Sequence, residues 1–443
     1  MGLELQSPLT LVFAMIIGIV TDDFSYKAKK NVILSISIAF LLYHDATSFF
    51  IMCVSFLIIC SCNKKLTASI IICIVVLTIF KTNLFSEIQY TIGDGNAVSS
   101  GVLPSGISFF YITLIVMYYI GEKDSTSILS TSIFFPHVLA GPILHKPLTL
   151  ESNKNQDLLY RNLFIGIAMF SLGTILLECS TVIYERFEYI NSLNYFNSYI
   201  SATIFYLYLF SNFFGYSMIA SGYAKFFGIE IPINFMAPGL SRNPSEFWLR
   251  WHRSLSLFFR NYVFKSLIKR NINILVATFL VMVLSGIWHG WGWNYIIWGG
   301  VHGTLLILYK LFSNSRYERI KFLAFFVLIP VTWIPFYSNS YHELTSNLLL
   351  LTAQNIPALN DIGIKASLCI LISTALILTP YNRVMKFLNI EVAMSIKEPY
   401  GRHSTKIKGG KTLYFVILMA LVVLGILFSY GVGTNSTFEY QRF

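Results

Sequence analysis

Long apolar runs closed by short polar turns set the pattern of this chain. They lie at 8–20, 31–43, 47–62, 66–82, 104–120, 162–180, 199–220, 271–288, 293–312, 322–338, 366–382 and 412–430. Roughly 17–25 apolar residues cross a bilayer as a helix. Most runs approach that length, and a few are short or interrupted. The pattern predicts an all-α polytopic membrane protein with about 11–12 transmembrane helices. No stretch between runs is long enough for a separate soluble domain, so residues 1–443 read as one membrane domain. The run 9–20 lacks the positive flank and small-residue cleavage site of a signal peptide, and reads as a retained first span. Residues 134–142 (FFPHVLAGP) are apolar but too short to cross, and suit a re-entrant or interfacial segment.

One segment has a different period. Residues 243–262 read NPSEFWLRWHRSLSLFFRNY. Asn243 can cap a helix, Pro244 fits its first position, and Glu246 stands where a capping box needs it. At helical spacing Phe247, Trp248, Trp251, Leu255, Phe258, Phe259 and Tyr262 share one face. Arg250, Arg253, Ser256 and Arg260 share the other. A helix of this kind lies in the membrane interface, with its arginines toward headgroups or water. His252 falls at the edge of the apolar arc and can join a pocket.

Composition agrees with the hydropathy pattern. The chain is 55% hydrophobic and 12% charged, against roughly 25% charged for a soluble domain. Its formal net charge is +11, which raises the question of nucleic acid. The placement of that charge excludes it. With the N-terminus outside, the cations fall almost entirely on alternate, inner loops. Only Lys81, Arg186, Lys365 and Arg442 of the 32 Lys and Arg remain outside. This is the positive-inside bias, so the basic face is expected to meet anionic membrane lipids. The six cysteines form no CxxC pair and mostly sit in apolar runs, where they read as small buried hydrophobes.

Chemistry enters at His289. It ends the run 271–288, between Gly286 and the pair Gly290 and Gly292. An ionisable side chain at membrane depth is expected to be functional. Irregular backbone there is tolerated only where it lines a cavity or is buried in protein. The glycines are expected to loosen the helix and open a pocket around the imidazole. No HExxH, CxxC or carboxylate cluster suggests a metal.

Five further stretches complete a set: Leu103–Phe110 (LPSGISFF), Phe134–Ile143 (FFPHVLAGPI), Asn212–Ser217 (NFFGYS), Gly228–Phe235 (GIEIPINF) and Leu240–His252 (LSRNPSEFWLRWH). With Gly286–Gly290 (GIWHG) and Trp293–Gly303 (WNYIIWGGVHG), they resemble the bacterial branch of the membrane-bound O-acyltransferase superfamily. The resemblance covers about 100–310, leaving 1–99 and 311–443 as peripheral helices. It is stronger to the alginate O-acetylation group than to the D-alanine transfer proteins of teichoic acid modification. Met218 departs from it, standing where the acetylation group carries an acidic residue.

The resemblance implies a helical core enclosing a central cavity in the bacterial inner membrane. It maps the signature active-site histidine onto His289 and a second onto His252. It implies acetyl-CoA as acyl donor without a metal, an exported polysaccharide as acceptor, and a separate outward-facing SGNH-type acetyltransferase as partner. His289 would act as general base on the acceptor hydroxyl. Ser285, Asn294, Trp288, Trp251 and Arg250 are candidate substrate contacts. His302 reads as a packing residue. The alternatives are D-alanyl transfer from a carrier protein to a teichoic acid-like polymer, and a non-enzymatic transporter, which should show two related halves.

Overall fold

Two adjacent helices form the centre of the molecule, and their sequence explains how closely they pack. In the computed structural model the described residues are 5, 7–81, 106–150, 156–193, 197–290, 292–312, 318–353, 355, 362–387, 390–393 and 402–405. Among them α1 (Pro8–Val20), α2 (Tyr26–Ser61) and α3 (Lys65–Lys81) precede α4 (Ile107–Tyr119), α5 (Ser125–Ser132) and the short α6 (Phe135–Ala140). The central pair follows, α7 (Gln156–Ser192) and α8 (Ser198–Phe226). A Cβ on Gly173 would lie 2.7 Å from Gly215 O, and one on Gly222 would lie 2.6 Å from Gly166 O. These glycines, seven residues apart on each helix, let the two backbones touch. Close approach through small residues is how helices associate where lipid offers no hydrophobic drive. α8 is buried along nearly its whole length.

The expected spans 31–43 and 47–62 form the two halves of α2, broken at Asp45, whose backbone is non-helical. The Asp45 carboxylate accepts from Ser48 N at 3.0 Å and from the Ser48 hydroxyl, capping the second half. By length and composition, α2 and the stretch Leu158–Ser192 of α7 can each cross a membrane. The other apolar helices are shorter, and the N-terminal α1 packs against α8. The expected span 412–430 lies outside the described residues.

After α8 the chain runs extended to Phe235. It then enters α9 (Pro244–Arg250), α10 (Arg253–Phe258), a π-helical turn (Phe259–Phe264) and α11 (Lys265–Lys269). A hairpin of α12 (Ile274–His289) and α13 (Trp293–Leu311) follows. Then come α14 (Glu318–Val331), α15 (Ile334–Tyr337), α16 (Tyr341–Leu349), α17 (Ile364–Ile377) and α18 (Tyr381–Phe387). One feature departs from the all-α expectation. Ile390–Ala393 and Arg402–Thr405 pair as a two-stranded antiparallel hairpin.

The single amphipathic helix expected over 243–262 is three pieces. Its start is as expected. Asn243 Oδ1 accepts from Glu246 N at 2.9 Å, and Glu246 Oε2 accepts from Arg242 N at 2.9 Å. The break follows Arg250, and it turns Arg253 inward to 4% exposure, off the polar face that uninterrupted periodicity gave it.

Candidate active site

His252 occupies that break. Its backbone is left-handed, at φ 41° and ψ 52°, a region that non-glycine residues seldom adopt. Hydrogen bonds from the neighbouring extended segment hold it there. Met236 N donates to Arg250 O at 3.0 Å, and Arg253 N donates to Asn234 O at 2.9 Å. Asn234 also works through its side chain. Its Oδ1 accepts from the Ser254 hydroxyl at 2.6 Å, and its Nδ2 donates to Ser217 Oγ at 3.1 Å. Ser254 Oγ accepts from Ile143 N at 3.0 Å, and Ser254 O accepts from His145 Nε2 at 2.8 Å. Thus four of the motif stretches meet around one backbone turn.

The turn before Ile143 is fixed by His137. Its Nδ1 donates to Pro142 O at 2.8 Å, and its Nε2 accepts from the Thr113 hydroxyl at 3.0 Å. His137 and His145 are therefore structural. Burial pushes His145 down to about 4 and holds His252 well below the ordinary histidine value. Both rings are neutral at pH 7.

His289 is 4% exposed and His252 1%. One indole joins them. The Trp288 ring centre lies 6.2 Å from that of His252 and 4.8 Å from that of His289. The two imidazoles therefore stand no further apart than those distances added together. Phe213 meets His252 edge-on at 4.4 Å. Trp298 and Phe336 meet His289 edge-on at 5.2 and 5.3 Å. Periodicity gave no sign of Phe336, an ordinary member of the run 322–338, nor of Asn234 as an organiser of the turn.

The glycines act differently from the sequence expectation. α12 continues unbroken through Gly286 to His289. A Cβ on Gly286 would collide with Tyr295 O. Gly286 therefore allows α12 and α13 to close on each other and seats His289 against Trp298.

A groove of about 210 Å³ runs beside the hairpin, lined by Trp248, Leu255, Phe259, Phe264, Met282 and Ser285 among others, with exposed Arg260 also on its wall. Ser285 is one helical turn before His289. His289 does not itself line this space. Of the other candidate contacts, Trp288 is half-buried and meets both histidines. Trp251 is buried against Tyr206, Phe247 and Trp333, away from the groove. Asn294 folds over the turn, where a Cβ on Gly292 would collide with its Oδ1. Arg250 bonds Glu246 Oε1 through Nε and Nη2 at 3.0 and 2.7 Å, and Met236 O through Nη1 at 2.9 Å. His302 is enclosed by Trp248, Trp298 and Phe247. Among the described residues no group of His, Cys, Asp and Glu could hold a metal ion.

The model of the membrane-bound O-acyltransferase family matches residues 103–334, a little over half of the chain and every residue of the geometry just described except Phe336. The chain belongs to the membrane-bound O-acyltransferase family. It is 32% identical over 221 residues to a peptidoglycan O-acetyltransferase of Helicobacter pylori, covering 46% of this chain and 42% of that protein. It is 29% identical over 259 residues to a probable alginate O-acetylase AlgI of Pseudomonas putida, covering 54% and 53%. It is 33% identical over 213 residues to a teichoic acid D-alanyltransferase of Bacillus subtilis, covering 42% and 52%. The chain thus spans about half the length of the curated relatives it matches. Family membership also makes it a membrane protein of mainly helical fold.

Proposed function

We propose that this protein is a membrane O-acyltransferase that moves acetyl from acetyl-CoA toward hydroxyls of an exported cell-surface polysaccharide. The observation that carries the reading is the pair of buried histidines that both meet the Trp288 ring, with His289 one turn from an apolar groove. An alcohol is a poor nucleophile at neutral pH. A positioned imidazole that takes its proton contributes roughly 10²–10⁴-fold. His289 is that base as the hydroxyl oxygen attacks the thioester carbonyl. The new ester bond forms, the carbon–sulfur bond breaks, and the thiolate leaves. His252, held neutral, accepts or donates a hydrogen bond to orient the acceptor or the carbonyl.

The groove receives the donor. Its apolar wall suits the uncharged arm of a thioester, and Arg260 suits phosphate at the entrance. Trp288 or Trp298 must swing aside for the thioester to travel the last turn from Ser285 to His289. The single membrane domain lies in the bacterial inner membrane with the N-terminus outside, as the cation bias supports. Acceptor delivery then falls to an outward-facing SGNH-type partner.

A second reading, D-alanyl transfer from a carrier protein to a teichoic acid-like polymer, is favoured by the similarity to teichoic acid D-alanyltransferases. Donor choice separates the two. Purified protein in lipid nanodiscs is given acetyl-CoA or a D-alanyl carrier protein, and release of free thiol is followed. Turnover of acetyl-CoA that Ser285→Trp blocks supports the first reading. Turnover of the carrier thioester alone replaces it with the second.

A further inference from the structure

Outside the active site, α17 runs against α7 and α8 along one stripe, formed by Ala366, Cys369, Ser373 and Ile377. Polar pairs mark its register. Lys365 Nζ bonds Glu178 Oε1 on α7 at 2.9 Å. Two turns further along, Ser373 meets the Ser211 hydroxyl on α8 at 2.7 Å. Cys369 lies between these pairs, one turn beyond Lys365, and Cys179 directly follows Glu178. Both cysteines are buried, at 7% and 3% exposure. The flanking contacts, with Gly363 against the Arg186 guanidinium on one side and Ser373 against Ser211 on the other, set the two cysteines at one level of the helix boundary, and both are thiols in this structure.

The level of this pair matters. In the orientation proposed above, α7 runs outward and α17 inward, so Cys179 and Cys369 share the outer half. Arg186 and Lys365, two of the four outer cations, line the same cleft just beyond them. Outside the cytoplasmic membrane, facing thiols are subject to oxidation.

We propose that Cys179 and Cys369 are joined by a disulfide in the membrane-inserted protein. The oxidant is an extracytoplasmic protein disulfide. The thiolate of one cysteine attacks a sulfur of that disulfide and forms a mixed disulfide. The thiolate of the other then displaces the oxidant. One sulfur–sulfur bond forms and another breaks. Two electrons and the two thiol protons pass to the oxidant, which leaves as a dithiol. The bond clamps α17, which lies beyond the family-matched segment, onto α7 within it. It stands behind α8, which carries Phe213 against His252.

The test is an alkylation count on the full chain. Membranes are quenched with N-ethylmaleimide, denatured without reductant, and the protein is digested and measured by mass spectrometry. The expected result is four alkylated cysteines of six, a cross-linked pair of peptides containing Cys179 and Cys369, and six alkylated cysteines after reduction. Cys369→Ser should expose Cys179 to alkylation. Orientation is read separately with Tyr341→Cys, a position 71% exposed on α16, labelled from outside by an impermeant maleimide. Both thiols alkylated in unreduced protein overturns the disulfide, even if copper phenanthroline can later close it. Failure of outside labelling at residue 341 overturns the compartment on which the bond depends.

Discussion

At the scale of single residues, the left-handed turn at His252 separates two roles that one substitution would confuse. Asparagine tolerates this backbone region and alanine does not, by roughly 1 kcal/mol. His252→Asn should therefore keep the melting temperature and lower acyl transfer. His252→Ala should lower both. Thermal unfolding and a transfer assay on the two variants check this, and equal melting temperatures would remove the strain from the account. Asn234 gives a companion case. Its side chain ties Ser217 to Ser254 from a fully buried position. Asn234→Leu strands these partners and should destabilise the protein by about 2–4 kcal/mol, read as a lowered denaturation midpoint.

Protonation belongs to the same scale. Unfolded, His145 and His252 take up a proton near their ordinary value of 6.5, whereas burial keeps them neutral in the fold. The unfolded chain therefore binds more protons on acidification, and stability falls with pH below 6.5. The loss between pH 6.5 and about 5 should be of order 1–2 kcal/mol per imidazole. A melting temperature that rises on acidification from pH 6.5 to about 5 would show these rings charged in the fold.

At the scale of elements, close helix contacts decide what the sequence can reveal. Gly286 admits the Tyr295 carbonyl, and the paired glycines of α7 and α8 admit each other's backbone. Gly286→Val should separate α12 from α13, move His289 away from Trp298, and reduce transfer at least tenfold with smaller loss of overall stability. Measuring kcat beside the melting temperature separates this from global unfolding. Hydropathy located most helices because an apolar run is a local property. The cap at Asn243 and the break at Asp45 were legible for the same reason, since each depends on residues within a turn. The break at His252 was not. Helical periodicity passes through it, and the hydrogen bonds that make it come from Asn234 and Met236, fourteen or more residues earlier. The glycines near His289 were visible, but sequence could not distinguish a loosened helix from a tightly packed one.

At the scale of the whole molecule, separated motifs gain a common purpose. Thr113, His137, Ile143, Ser217, Asn234 and Ser254 lie on different elements, yet one hydrogen-bonded arrangement places His252 beside the Trp288 ring. The family resemblance could point to both histidines. It could not show that aromatic rings from α13 and α15 close around His289, because Trp298 and Phe336 reach it only through the tertiary fold. This enclosure predicts gated entry. Trp298→Ala should widen access and raise hydrolysis of acyl donor by water relative to transfer, measured as the ratio of the two products. An unchanged ratio would remove Trp298 from the gate.

The central claim is that the His289 imidazole removes the acceptor proton. Its most direct test is single-turnover transfer from labelled acyl donor in nanodiscs, comparing the native chain with His289→Ala under conditions where donor binding is measured independently. Unchanged donor affinity with transfer reduced roughly 10²–10⁴-fold is the expected result. Transfer at the native rate by His289→Ala would contradict the account.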